Sequence, residues 1–169
     1  DLERATTFVP QDKDVIATAF HGEDSFVFLG GRMYVRYLAG GPSRVRIFDL
    51  AGAPQGDLPL PGIAAVDEIE PVGNDLLYSV ETYVAPRQFY RLADGRSVPT
   101  ALKSTSPVSF DDMEVLRVFA TSKDGTRVPY FQVGPRDIKL DGGNPTLLYG
   151  YGGFEISETP YYSGGRGKG

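Results

Sequence analysis

Thr146-Leu147-Leu148-Tyr149 runs without a break into Gly150-Tyr151-Gly152-Gly153-Phe154, and the reading of the whole chain turns on this stretch. An apolar run with no polar alternation predicts a strand from Thr146 to Gly150, buried on both faces as in the parallel sheet of an α/β protein. A buried strand that ends in a glycine-rich turn is where such proteins place ligand sites. Glycines at 150, 152 and 153 let the backbone take positive φ and come close to a bound group. The plain alternative is a glycine-rich turn carrying two packed aromatics.

Upstream, turn signals recur at Gly30-Gly31, Gly40-Gly41-Pro42, Ala51-Gly52, Asp94-Gly95, Asp124-Gly125 and Asp141-Gly142-Gly143. Between them lie short runs rich in β-branched and aromatic residues. Ser25 to Leu29, Met33 to Leu38, Val45 to Leu50, Leu76 to Tyr83 and Gln88 to Leu92 read as strands, as do Val115 to Ala120 and Val128 to Val133. No stretch of ten or more residues carries a 3.6-residue period. The chain reads as almost wholly β.

Spacing adds a second level. A strand pair spanning Tyr34 to Leu50 closes on Asp49-Leu50-Ala51-Gly52. About 40 residues later a pair spanning Leu76 to Leu92 closes on Ala93-Asp94-Gly95. Two four-stranded units at such an interval suggest propeller blades; two unrelated hairpins would also satisfy the spacing. The character changes near Phe110. Pro107 to Asp112 reads as a connector, followed by a hairpin across Ser122-Lys123-Asp124-Gly125, with Pro129 arguing for an edge position or a bulge in its second strand. The tail from Gly164 to Gly169 departs from any core pattern and is expected to be a loop.

Composition removes several classes of function. The 169 residues carry a formal charge of −5 without any Lys/Arg block, so nucleic acid and anionic membranes have no electrostatic footprint here. No apolar run approaches the roughly 20 residues of a membrane helix, and no signal peptide is visible. There is no cysteine, which excludes disulfides, thiolate catalysis and Cys-ligated zinc. One histidine, His21, leaves Asp and Glu as the only other usual metal ligands, and no calcium-loop motif occurs. No metal and no cofactor is expected. A cytoplasmic and a bacterial periplasmic location both fit.

The run Ser122 to Pro129, then Lys139-Leu140-Asp141-Gly142, then Asn144 to Phe154, resembles in order and spacing the prolyl oligopeptidase family of serine peptidases. The units at Val45 to Gly52 and Tyr83 to Tyr90 resemble that family's last two propeller blades, and Phe110-Asp111-Asp112 its crossover into the hydrolase domain. The resemblance implies a mostly β chain: residues 1–109 a partial β-propeller of about two C-terminal blades, and residues 110–169 the first strands of an α/β-hydrolase catalytic domain. It implies that Tyr151 completes the oxyanion hole, a role suited to a phenol donor, and that Phe154 lines the pocket for a proline-like P1 side chain, against which an aromatic wall packs well. The implied activity is cleavage of short peptides, after proline, through an acyl-enzyme.

The triad is not in these 169 residues. A nucleophile elbow of the Gly-x-Ser-x-Gly type is absent. Ser163 has the wrong flanks, preceded by Tyr161-Tyr162. His21 precedes every candidate serine, whereas the family order is Ser, Asp, His. The expectation is therefore an internal piece of a larger peptidase, inactive alone, whose partners are the remainder of its polypeptide and short peptide substrates. The competing reading is a non-catalytic β-rich module that binds peptide or protein through Tyr151, Phe154, Tyr161 and Tyr162. A third is a sibling peptidase with a different P1 preference.

Overall fold

The computed structural model describes residues 2–18, 25–154 and 156–167; His21 lies outside them. After a short 3-10 turn at Leu2–Arg4, the first sheet contains β1 (Val15–Ile16), β2 (Phe26–Leu29), β3 (Arg32–Leu38), β4 (Ser43–Asp49) and β5 (Pro54–Asp57). The second contains β6 (Ala64–Ala65), β7 (Ile69–Val72), β8 (Asp75–Thr82), β9 (Gln88–Ala93) and β10 (Arg96–Lys103). All pairings are antiparallel. β1 and β2 both pair with β3, and β6 and β7 both pair with β8, so each sheet is a four-stranded meander whose first strand is broken in two. The two units are copies. Phe26 faces Val35 in one and Ile69 faces Tyr78 in the other, an offset of 43 residues in both strands.

That equivalence explains the core. Cross-strand pairing puts Ile69, Leu76, Tyr78, Val80, Tyr90 and Leu92 on one face of the second sheet. This face packs on Val27, Tyr34, Val45 and Ile47 of the first sheet, with Leu58 filling in from the linking segment and Ala64 and Val66 from β6 and the break after it. Tyr78 and Tyr90 stack at 5.6 Å. The matching face of the first sheet holds Met33, Val35, Tyr37 and Phe48 and is covered in part by Val9. There the Arg46 guanidinium lies over the rings of Tyr37 and Phe48 and pairs with Asp12, tying down the N-terminal segment. Phe26 and Phe28, on the same face, remain about half exposed.

One buried cation stitches the sheets together. Arg36 lies on the inter-sheet face, and burying it requires acceptors. It donates to the carbonyls of Val66, at 3.1 Å, and Asp67. Ser43 Oγ takes the Val66 N–H at 2.9 Å. The break between β6 and β7 of the second sheet is thus held to the first sheet by side chains.

β11 (Met113–Thr121) and β12 (Arg127–Pro135) form a separate hairpin, with Phe119 opposite Pro129 and continuous register throughout. Pro129 sits on a strand paired on one side only, as its missing N–H requires. The hairpin leans on one end of the blades. Arg117 crowds Gly40 and Phe131 crowds Gly41 in the β3–β4 turn, and Phe131 meets Tyr83, of the β8–β9 turn, at 5.5 Å.

Two expectations are corrected. Thr146 to Gly150 is extended but is not a strand, and it is exposed rather than buried on both faces; Leu148 is 93% exposed. An apolar run becomes a parallel strand only when neighbours supply hydrogen bonds and cover, and among the described residues none does. The tail contains a single helical turn, Gly164–Gly167, where a loop was expected.

Candidate functional site

The glycine-rich segment forms a loop whose ends meet. Tyr149 Oη donates to Glu158 Oε1 at 3.5 Å, and the Ile156 N–H closes a turn on the Gly153 carbonyl at 3.1 Å. Gly153 leaves room for the tyrosine: a Cβ there would stand 2.9 Å from Tyr151 Oη, so the ring rests on bare backbone. Phe154 follows with φ of 55°, a left-handed conformation unusual outside glycine, and the turn projects its ring outward. Tyr151 is 49% and Phe154 88% exposed. The loop thus presents a half-exposed phenol and an open phenyl face, and no ring contact joins the two among the described residues.

Glu158 anchors this loop to the first sheet. Its carbonyl lies against Gly41, close enough that a Cβ there would stand 3.5 Å away. Burial raises the Tyr83 pKa, and the nearby negative charge of Glu158 raises it further. The chain then passes through the buried Pro160 to Tyr162, which is fixed at both ends. The Tyr162 N–H donates to Glu81 Oε1 at 2.8 Å; its hydroxyl bonds Ser106 Oγ at 2.9 Å and donates to the Val108 carbonyl. Its ring meets Phe110 edge-on at 5.3 Å. Tyr162 is thus turned inward as an anchor, while Tyr151 and Phe154 face outward.

Glu81 belongs to a charged cluster that sequence reasoning missed. Arg87 pairs with Asp67 at 2.8 Å, Glu68 at 3.1 Å and Glu81 at 3.3 Å. No local spacing announces this set, because its members come from the break between β6 and β7, the last residues of β8 and the turn just before β9. Ser163 is half-buried beside the terminal helical turn. Among the described residues, no cluster of three or more His, Asp or Glu side chains could hold a metal ion. No described helix is long and apolar enough to cross a membrane.

No family model matches the chain. Among curated proteins, it is 36% identical over 173 residues to the uncharacterized peptidase y4nA of Sinorhizobium fredii (strain NBRC 101917 / NGR234), covering 99% of this chain and 23% of the relative. It is 32% identical over 140 residues to the prolyl endopeptidase of Elizabethkingia meningoseptica, covering 79% and 19% respectively. Among solved structures, one from a study of two prolyl endopeptidases matches at TM-score 0.75 and 34% identity, over 92% of this chain and 23% of that one. Prolyl oligopeptidase B from Galerina marginata matches at TM-score 0.77 and 22% identity over 94% and 22%, a likeness of fold. The fold matched is the β-propeller region, in agreement with the two repeated sheets. The chain belongs to the prolyl oligopeptidase family of peptidases and spans about a fifth of the length of the relatives it matches.

Proposed function

We propose that this chain supplies one wall of the active site of a serine peptidase that cleaves short peptides after proline through an acyl-enzyme. Residues 1–109 are two blades of its propeller, and residues 110–169 begin its hydrolase domain. Tyr151 donates to the oxyanion of the tetrahedral intermediate, and Phe154 packs against the P1 ring. The observation that carries this reading is the loop itself: Gly150 to Phe154 presents a half-exposed phenol and an open phenyl three residues apart.

The chemistry follows from charge. In acyl transfer, negative charge grows on the former carbonyl oxygen, and a donor already aimed at that point stabilises the transition state more than the substrate. A phenol that rests on the bare backbone of Gly153 needs little reorganisation. The nucleophile, its base and the acid that orients the base come from outside these 169 residues, so the chain alone is inactive.

In the complete peptidase, Tyr151→Phe should lower kcat roughly 10- to 1000-fold, the scale of losing one oxyanion donor. KM for a proline-containing chromogenic peptide should change little. Wild-type turnover would remove Tyr151 from the oxyanion role. The 169-residue chain should neither hydrolyse that peptide nor react with a fluorophosphonate probe; labelling of Ser163 would overturn the assignment of the nucleophile to another part of the protein.

A further inference from the structure

We propose that Glu81 is a positioning residue for Tyr151, acting from the propeller through the chain segment that follows the oxyanion loop. The inference rests on the oxyanion role proposed above. Glu81 is the penultimate residue of β8, and its side chain is only 16% exposed. Its two oxygens face different ways. Oε2 meets Arg87 Nε at 3.3 Å, while Oε1 accepts the backbone N–H of Tyr162 at 2.8 Å. Arg87 also pairs with Asp67 and Glu68, which fixes the guanidinium that holds the Glu81 carboxylate. Glu81 reaches from this cluster across to the later segment.

That grip matters because of what lies on either side of it. Nearer the loop, Glu158 joins Tyr149 and lies on Gly41, so residues 149–158 form a closed loop resting on the first sheet. Beyond it, Tyr162 Oη is tied to Ser106 and Val108. The tyrosine that would meet the oxyanion therefore rides on a loop with one footing on each sheet. Glu81 is the charged footing on the second. A carboxylate-to-amide bond is stronger than a neutral one and directional, which suits it to fixing backbone rather than filling space. Oxyanion donors are sensitive to placement, so a shift of the loop should weaken the chemical step and leave ground-state peptide binding largely intact.

The test uses the complete peptidase and a proline-containing chromogenic peptide. Glu81→Ala should lower kcat about 10- to 100-fold, the scale of misplacing a reacting group by an ångström, with KM nearly unchanged. Glu81→Gln, which keeps an acceptor for the Tyr162 N–H, should recover most of the loss. Added to Tyr151→Phe, Glu81→Ala should cost little more, because its effect passes through Tyr151. Tyr162→Phe, which loosens the same segment from its other side and keeps the ring against Phe110, should lower kcat less, again without adding to Tyr151→Phe. Wild-type kcat in folded Glu81→Ala beside an impaired Tyr151→Phe would overturn this inference alone, as would full multiplication of the two losses. Should Glu81→Ala not fold, an unimpaired Tyr162→Phe beside an impaired Tyr151→Phe would overturn it. An unimpaired Tyr151→Phe would remove the oxyanion reading itself.

Discussion

Leu76 is the position at which the packing of the two sheets can be weighed. It is fully buried, pairs across the sheet with Leu92, and packs with Tyr78 and Ile69 against Val27, Tyr34 and Val45 of the other sheet. Leu76→Ala removes three carbons from a site closed on both sides, so the surroundings can collapse little and the loss falls within the range of about 3–5 kcal/mol seen for such truncations. At roughly 2–4 °C per kcal/mol for a unit of this size, the unfolding midpoint should fall by about 6–20 °C. The internal control is Met33, the repeat equivalent of Leu76 in the first sheet. Met33 is 5% exposed, yet its cluster is small and its neighbours Phe26 and Phe28 are half open to solvent. Its side chain is flexible and its face can relax, so Met33→Ala should cost less, about 2 kcal/mol. The assay is thermal and urea unfolding, each followed by near-ultraviolet circular dichroism of the ten tyrosines, undisturbed by tryptophan, of which there is none. Equal losses at 76 and 33, or a loss below about 1 kcal/mol at Leu76, would refute the packing of one sheet on the other.

Other expectations concern the turns and the buried phenols. Gly41 has φ of 113° and a Cβ there would stand 2.9 Å from the Phe131 ring, so Gly41→Ala should destabilise by about 1–3 kcal/mol. Gly30→Asn, at φ of 56° with open space around it, should stay near wild type in the same urea titration. Burial raises the pKa of Tyr78 and of Tyr83. A raised pKa favours the neutral phenol in the folded state. That contribution to stability is complete below the unfolded value of about 10 and is lost as pH climbs through the folded values. A pH titration of the unfolding midpoint should therefore fall above pH about 10, and less steeply in Tyr83→Phe; a flat profile there would contradict the burial of these rings.

How much of this was legible beforehand differs from element to element. β2, β3, β4, β8, β9, β11 and β12 stand out because their side chains alternate or carry β-branched and aromatic residues that suit a half-buried pleated surface. β5, Pro54-Gln55-Gly56-Asp57, carries no such signal; it is a strand because the edge of β4 offers hydrogen bonds. β10 hides behind Pro99, tolerated on an edge strand that bulges between Pro99 and Lys103. The two-residue strands β1 and β6 were invisible for the same reason, since pairs such as Ala64-Ala65 have no pattern of their own.

Local order and motif are therefore the province of the sequence: the β class, the repeated pairs closing on Asp and Gly, and a glycine-rich turn carrying Tyr151 and Phe154 in a recognisable family setting. These depend on neighbours along the chain, and neighbours along the chain are what a sequence displays. The tertiary structure decided everything that depends on neighbours in space. It made Arg36 a buried staple between sheets, turned Tyr162 inward as an anchor while Tyr151 stayed accessible, and gathered Asp67, Glu68, Glu81 and Arg87 into one cluster. It also left Thr146 to Tyr149 exposed, because hydrophobicity alone cannot make a strand: the backbone hydrogen bonds must come from partners elsewhere in the fold.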